Sequence, residues 1–329
     1  MRGWLIVSIL ALHLGSSEAQ EKKLERFYLS NSTLSENRAP IYIAEDLKLF
    51  EKFGLDARVV NIRGSAINIA ALMAGEIQMA VANGTIAVTA AARGAPIVIV
   101  ATIGPTHYNL VSRTLSSPAQ LRGKTIGIGG FGIGDYNLLR RLLPKVGLNE
   151  KEVTLVPLGT TSSYERMSMM LNGKADAVMA SKSNIDRIEL RGVNLNLLAS
   201  TAELGVETSS QDFFTTREFL RTKPNQVKAV FRAFGEAVRI GRQNKEVFHR
   251  AIRRYMKEDN SELIHKFYRT NYFFAAKPRT MMPLAGALEL DIRDMQPTVP
   301  ELRGRQAGEF IDATALREVE KEGYFKWAP

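Results

Sequence analysis

The sequence contains no cysteine in 329 residues. That absence removes disulfides, thiolate nucleophiles, cysteine-containing zinc sites and a lipidated N-terminal cysteine. Histidine is almost as scarce, with four in the chain. His107, His249 and His265 are isolated from one another and show no metal-ligand spacing, so surface or capping roles are expected. Long apolar runs are missing too. The run from Trp4 to Leu14 is too short for hydrocarbon that needs about 20 residues. The run from Ala95 to Ile103 is broken by Pro96 and stops at Gly104-Pro105.

What the N-terminus does contain is Arg2, the apolar run and the small residues ending Ser17-Glu18-Ala19. This is the layout of a secretory signal peptide over residues 1–19, with a mature chain starting at Gln20. Past that point nothing is long enough to anchor the chain, and an exported, soluble, monomeric protein is expected. A mature length of 329 − 19 = 310 residues suggests two lobes rather than one core.

Lysine and arginine number 44 against 34 acids, a net charge of +10. Export and the even spread of charge argue against a nucleic-acid partner, and the excess suits anionic ligands or anionic lipid surfaces. No catalytic set emerges. Nothing resembles G-x-S-x-G, or S-x-x-K with its partners, and Glu45, Asp46 and Asp135 form no pair for acid–base work. GIGGFG (127–132) fits the dinucleotide pattern G-x-G-x-x-G, but the next strand ends Pro157-Leu158-Gly159-Thr160 without the acid that would hold a ribose. The loop therefore reads as a backbone cradle for a small polar group, with no cofactor and no metal.

The chain repeats itself. GSAINIAALMAGEIQMAVA (64–82) and SSYERMSMMLNGKADAVMA (162–180) share a small polar start, a helix, a terminating glycine and a short strand. Gly75 and Gly173 align at a shift of 98, and Gly54 and Gly147 at a shift of 93. Strands expected at 26–30, 58–61, 97–103, 124–129, 153–157 and 195–199 alternate with helices, which reads as parallel βαβ units. Each copy is a small doubly wound α/β lobe. The first lobe is expected to span 20–105 and 212–329, and the second 106–211, with two crossing segments as a hinge. From Arg217 onward the chain reads as helices packed on the first lobe. The stripe Val227, Val230, Phe231, Phe234 and Val238 faces inward, a further helix covers 281–295, and Lys228, Arg232, Arg239, Arg242, Arg250, Arg253 and Arg254 form a solvated face.

In open α/β sheets ligands bind beyond the carboxyl ends of the strands, where helix N-termini present free N–H groups. The repeat places such loops twice. The expected ligand contacts are Ser30, Asn31, Ser32, Gly64, Ser65, Asn83 and Thr85 in the first lobe. In the second they are Gly132, Gly134, Asp135, Thr161, Ser162 and Ser181. Small polar residues there suit an anionic or strongly polar ligand, although the same residues also serve as ordinary helix caps. Tyr108, Tyr136 and Tyr164 either pack in the core or add flat walls.

Six segments carry a family resemblance: Pro40 to Ala44, Leu49-Phe50 with Gly54-Leu55, Leu72 to Glu76, Leu121 to Thr125 and Leu171 to Ala177. In order and spacing they resemble the ABC-transporter solute-binding proteins of the nitrate, sulfonate, taurine and thiamine-precursor class. The resemblance implies a type II periplasmic-binding-protein fold and closure of two lobes on a small-molecule ligand. It also implies periplasmic location and delivery to an inner-membrane ABC permease with its ATPase. It carries the ligand loops onto Ser32, Ser65, Thr85, Gly132 to Asp135 and Ser162, and it leaves the ligand open. Two alternatives are an enzyme on the same fold, a lyase or a pyrimidine-synthase-like one whose cysteine-rich motif this chain lacks, and a protein that presents its ligand to a sensor kinase.

Overall fold

The computed structural model describes residues 24–131, 134–160, 162–209, 211–275 and 280–326. The expected signal segment, Gly132 and Thr161 lie outside them. The strands are β1 (Glu25–Asn31), β2 (Leu55–Asn61), β3 (Met79–Ala82), β4 (Ile97–Thr102), β5 (Asn109–Ser112), β6 (Thr125–Ile128), β7 (Thr154–Pro157), β8 (Ala177–Ala180), β9 (Asn196–Ser200) and β10 (Asp212–Thr216). They form two five-stranded sheets with the same layout, β2-β1-β3-β10-β4 and β7-β6-β8-β5-β9.

The sheets are mixed rather than wholly parallel. In the first, β1 pairs in parallel with β2 and β3, while β10 is antiparallel to β3 and β4. In the second, β6 pairs in parallel with β7 and β8, while β5 is antiparallel to β8 and β9. The topology explains the reversal. A chain that leaves the carboxyl edge of one sheet and crosses to the facing edge of the other must run inward, against the parallel strands. β5 is the first strand after the outward crossing and β10 the first after the return. The carboxyl edges of the two sheets are thus the edges that the crossing segments join.

The helices are α1 (Ala39–Asp46), α2 (Leu49–Lys52), α3 (Ser65–Met73), α4 (Gly84–Ala92), α5 (Gly134–Lys145), α6 (Ser163–Leu171), α7 (Lys182–Glu189), α8 (Arg217–Thr222), α9 (Pro224–Gln243), α10 (Lys245–Met256), α11 (Ser261–Thr270), α12 (Ala285–Met295) and α13 (Thr314–Lys321). Gly75 and Gly173 follow α3 and α6 with φ of +75° and +77°, the left-handed turn that ends each helix and releases the next strand. Along β1, alternation sends Phe27 and Leu29 into a core shared with α1, α9 and α10, and sends Tyr28 toward a second core beneath α3, α4 and α12. The second sheet is likewise covered on both faces.

The α9 stripe Val227, Val230, Phe231, Phe234 and Val238 is buried. Its basic face is not simply solvated. Lys228 and Arg232 pair with Glu318 and Glu322 near the chain end, Arg239 with Glu236, and Arg254 with Asp46. Arg242 donates to the Phe273 and Ala275 carbonyls. The helix expected from Met281 starts only at Ala285, because the Met281 carbonyl accepts the Thr102 amide at 2.8 Å.

Salt bridges join the lobes. Arg141 on α5 reaches Asp291 at 2.8 Å and Asp294 at 2.7 Å on α12, and Arg187 on α7 reaches Glu258 at 3.1 Å. The crossing segments meet at an antiparallel bridge between Thr106 and Thr208.

Candidate functional site

Each lobe ties a strand end to a helix start by the same hydrogen bond. The Asn83 amide donates to Ser65 Oγ at 3.2 Å, and the Ser181 amide donates to Ser163 Oγ at 3.3 Å. Asn83 Oδ1 then accepts the Thr85 amide at 2.9 Å and the Thr85 hydroxyl at 2.7 Å, capping α4. Ser162 caps α6 by accepting the Glu165 amide, and Ser181 caps α7 by accepting the Asn184 amide. Helices α3 and α4, and likewise α6 and α7, therefore begin side by side at the carboxyl edge of their sheet.

Among the expected ligand contacts, Ser30 and Asn31 end β1, and Ser32, Gly64, Ser65, Asn83 and Thr85 follow the carboxyl ends of β1, β2 and β3. Gly134, Asp135, Ser162 and Ser181 gather beyond β6, β7 and β8. Several have their polar atoms engaged in the frame. The buried Ser30 hydroxyl donates to Asn68 Oδ1 at 2.5 Å, and Asn68 Nδ2 donates to the Ile62 and Gly64 carbonyls, which fixes the turn into α3. Asp135 is buried beneath the loop after β6, where Oδ2 accepts the Gly129 amide at 2.7 Å and lies 3.4 Å from Arg166 Nε. Burial raises its pKa, while Arg166 and the backbone amides pull it down. Arg166 also donates to the Thr160 and Met179 carbonyls and lies over the Tyr108 ring at 5.9 Å. This carboxylate positions the loop.

Asn68 and Arg166 were not among the expected contacts, while Ser163 belongs to the expected loop 161–163. The glycine shift of 98 does find Ser163, since 65 + 98 = 163, so Ser163 and not Ser162 is the counterpart of Ser65. The first glycine of GIGGFG serves packing, because a Cβ on Gly127 would sit 2.5 Å from Leu158 Cδ1. Around the polar helix starts stand the exposed apolar side chains of Leu34, Ile67, Ile86 and Phe131, the last edge-on to Tyr136 at 5.3 Å. A cavity of about 350 Å³ lies between α7 and α11, lined by Lys182, Asp186, Lys266 and Arg269.

The profile of the family described as NMT1/THI5 like matches residues 35–244, a span that includes both hydrogen-bonded frames. The chain belongs to this family. Among relatives of this NMT1/THI5-like chain, a Brucella abortus protein named only as a binding protein is 25% identical over 223 residues, covering 67% of this chain and 68% of that one. Among solved structures, the periplasmic aliphatic sulphonate binding protein SsuA from Escherichia coli superposes with a TM-score of 0.69 at 18% identity, covering 86% of this chain and 92% of that one. The periplasmic nitrate-binding protein NrtA from Synechocystis PCC 6803 gives 0.68 at 14% identity, over 91% and 89%. The desulfurization enzyme DszB gives 0.67 at 11% identity, over 91% and 100%, so the fold also occurs in an enzyme. The two-lobe fold of the NMT1/THI5-like chain is thus that of the periplasmic solute-binding proteins.

Proposed function

We propose that this chain is the periplasmic solute-binding component of an ABC importer, which captures a small polar or anionic solute between its lobes and presents it to the permease and its ATPase. A sulfonate, nitrate, taurine or a pyrimidine-like molecule fits this reading. The observation that carries it is the paired hydrogen bond, Asn83 to Ser65 and Ser181 to Ser163. It supports a site built in two matched halves, each offering helix N-termini to the same ligand. Closure would then draw on the ligand's preference for the state in which both halves touch it. We place the lobe boundaries at 105/106 and 211/212, on either side of the Thr106–Thr208 bridge and at the start of β10.

The expected contacts divide under this reading. Ser32, Gly64, Thr85, Gly134, Ser162 and Ser181 face the ligand, and Ser30, Ser65 and Asp135 hold the frame. An enzymatic role finds no support in Asp135, whose carboxylate is taken up by Arg166 and Gly129. No helix among the described residues is long and apolar enough to cross a membrane. Thermal-shift screening against sulfonates, nitrate, taurine, carboxylates and pyrimidines tests the proposal. At least one should raise the melting temperature without being consumed; a substrate turned over by the purified protein, with no ligand stabilising it, would refute the receptor role.

A further inference from the structure

Arg38 is a buried cation without an ion pair among the described residues. Its side chain is 1% exposed, Nη1 donates to Gln211 Oε1 at 3.0 Å, and Nε has no hydrogen-bond partner. Asn31 is 0% exposed, and neither its Nδ2 nor its Oδ1 has a partner. The two residues lie at one place in the fold. Asn31 ends β1 and, by alternation, shares the face of Phe27 and Leu29 that α1 covers, while Arg38 is the residue on which α1 begins.

Neither arrangement is cheap. A buried charge without a partner carries a desolvation penalty, and a buried amide without hydrogen bonds gives up those it made to water. Burial lowers the Arg38 pKa to about 10, so the guanidinium stays charged at neutral pH. Tyr42, Glu36 and Asp212 pull it back up, although neither carboxylate forms an ion pair with it among the described residues. In the second lobe Arg166 provides the contrast: two carbonyls and the Asp135 carboxylate surround it. The first lobe therefore holds a buried positive charge that no carboxylate among its described residues meets at ion-pair distance.

We propose that Arg38 and Asn31 form the anion subsite of the cleft, taking the oxyanion head of the solute, a sulfonate, carboxylate or nitrate. The inference rests on the solute-binding reading above. A guanidinium offers paired N–H donors to two oxygens of such a group, and Asn31 Nδ2 supplies a third. The subsite also bears on the hinge. Gln211, which holds Arg38, donates from Nε2 to Thr106 Oγ1 at 3.3 Å, and so links Arg38 to both crossing segments. Reaching the two side chains requires those segments to part, and an anion bound there changes the contact that spans them.

Calorimetric titration with sodium hexanesulfonate, sodium nitrate, sodium acetate and uncharged cytosine, on wild type, Arg38→Gln, Arg38→Lys and Asn31→Ala, tests the subsite. Wild type is expected to bind at least one of the anions. Arg38→Gln should weaken that binding about 10- to 100-fold, Asn31→Ala should weaken it less, and Arg38→Lys should recover part of the loss. Should Arg38→Gln fail to fold, the lysine and Asn31 variants carry the comparison. Anion affinity unchanged in the variants would overturn the subsite and leave the receptor role standing. Binding of cytosine alone by the wild type would overturn it in the same way, whereas a wild type that binds none of the probes counts against both proposals.

Discussion

The backbone amide of Asn83 donates to the Ser65 hydroxyl at 3.2 Å, across a gap of 18 residues that joins the end of β3 to the start of α3. The bond between Ser181 and Ser163 repeats it across the same gap, in the other lobe. A second pair of bonds repeats as well. The Tyr28 amide donates to Gln78 Oε1 at 2.7 Å, and the Thr125 amide donates to Asp176 Oδ2 at 2.8 Å. Gln78 and Asp176 are again 98 apart (176 − 78). The duplication thus survives at the level of tertiary hydrogen bonds, even where the side chains that make them have changed.

Ser163→Ala tests the weight of that bond. Ser163 is 3% exposed, and its oxygen accepts both the Ser181 amide and Asn184 Nδ2, the latter at 2.9 Å. Removing it leaves two donors short of a partner, an expected loss of about 1–3 kcal/mol in urea unfolding. A change within about 0.5 kcal/mol would mean that water or a shifted neighbour replaces the hydroxyl.

The repeated glycines and the α9 stripe were legible in the sequence because each is a local pattern. A helix end needs its left-handed residue at Gly75 or Gly173, and a buried face needs its apolar spacing, whatever lies elsewhere. Pairing direction was not legible, since the reversal of β5 and β10 follows from where the chain crosses. The partners of the basic face were hidden for the same reason: Glu318 and Glu322 lie 90 residues beyond Lys228 and Arg232. Arg38 reads as an ordinary loop arginine until Gln211, 173 residues away, closes over it. The helix start after Thr160 was legible too, whereas the split between Ser162 as helix cap and Ser163 as frame hydroxyl was not, because the partners Glu165 and Ser181 decide it.

Gly84 opens α4 directly against Asp212. A Cβ at this position would collide with Asp212 Oδ2, on a side chain that is fixed by Ser209 and fully buried. Gly84→Ala should therefore destabilise by about 1–3 kcal/mol, the usual range for overpacking. The same substitution in an Asp212→Ala background should cost markedly less. Equal losses in the two backgrounds would show that the clash is relieved by backbone movement.

Asp291 collects three donors at 2.8 Å: Arg141 Nη2 from α5, the Thr208 hydroxyl and the Ser209 amide. It is 0% exposed and joins α12, the returning segment and the second lobe in one place. Asp291→Ala should lower stability by about 1–3 kcal/mol, because it leaves the Thr208 hydroxyl and the Ser209 amide without their acceptor, while Arg141 keeps Asp294 and the Glu207 carbonyl. Arg141→Ala in the Asp291→Ala background should cost less than Arg141→Ala alone, since its pair with Asp291 has already gone while its pair with Asp294 remains. Fully additive losses would mean that the two residues act independently of each other.

Asp212 gives the stability curve a predictable slope. Burial pushes its carboxyl up to about 6, against the pull of the Ser209 and Thr102 hydrogen bonds and of Arg38, and with a further push from Asp291. In the unfolded chain the group ionises near its ordinary value of 3.8. Between about pH 4 and pH 6 the folded chain therefore holds a proton that the unfolded chain has released, and stability falls as pH rises through that window. Two units of difference correspond to about 3 kcal/mol, fully expressed above pH 6. Asp212→Asn keeps an acceptor for Ser209 and removes the titration. Asp135, also raised by burial, slopes the same way in both proteins and cancels in the difference. Urea unfolding at pH 4, 5, 6 and 7 should show the wild type losing ground steadily to Asp212→Asn. Parallel curves for the two proteins would place the Asp212 carboxyl back near its ordinary range, with its burial offset by Ser209 and Arg38.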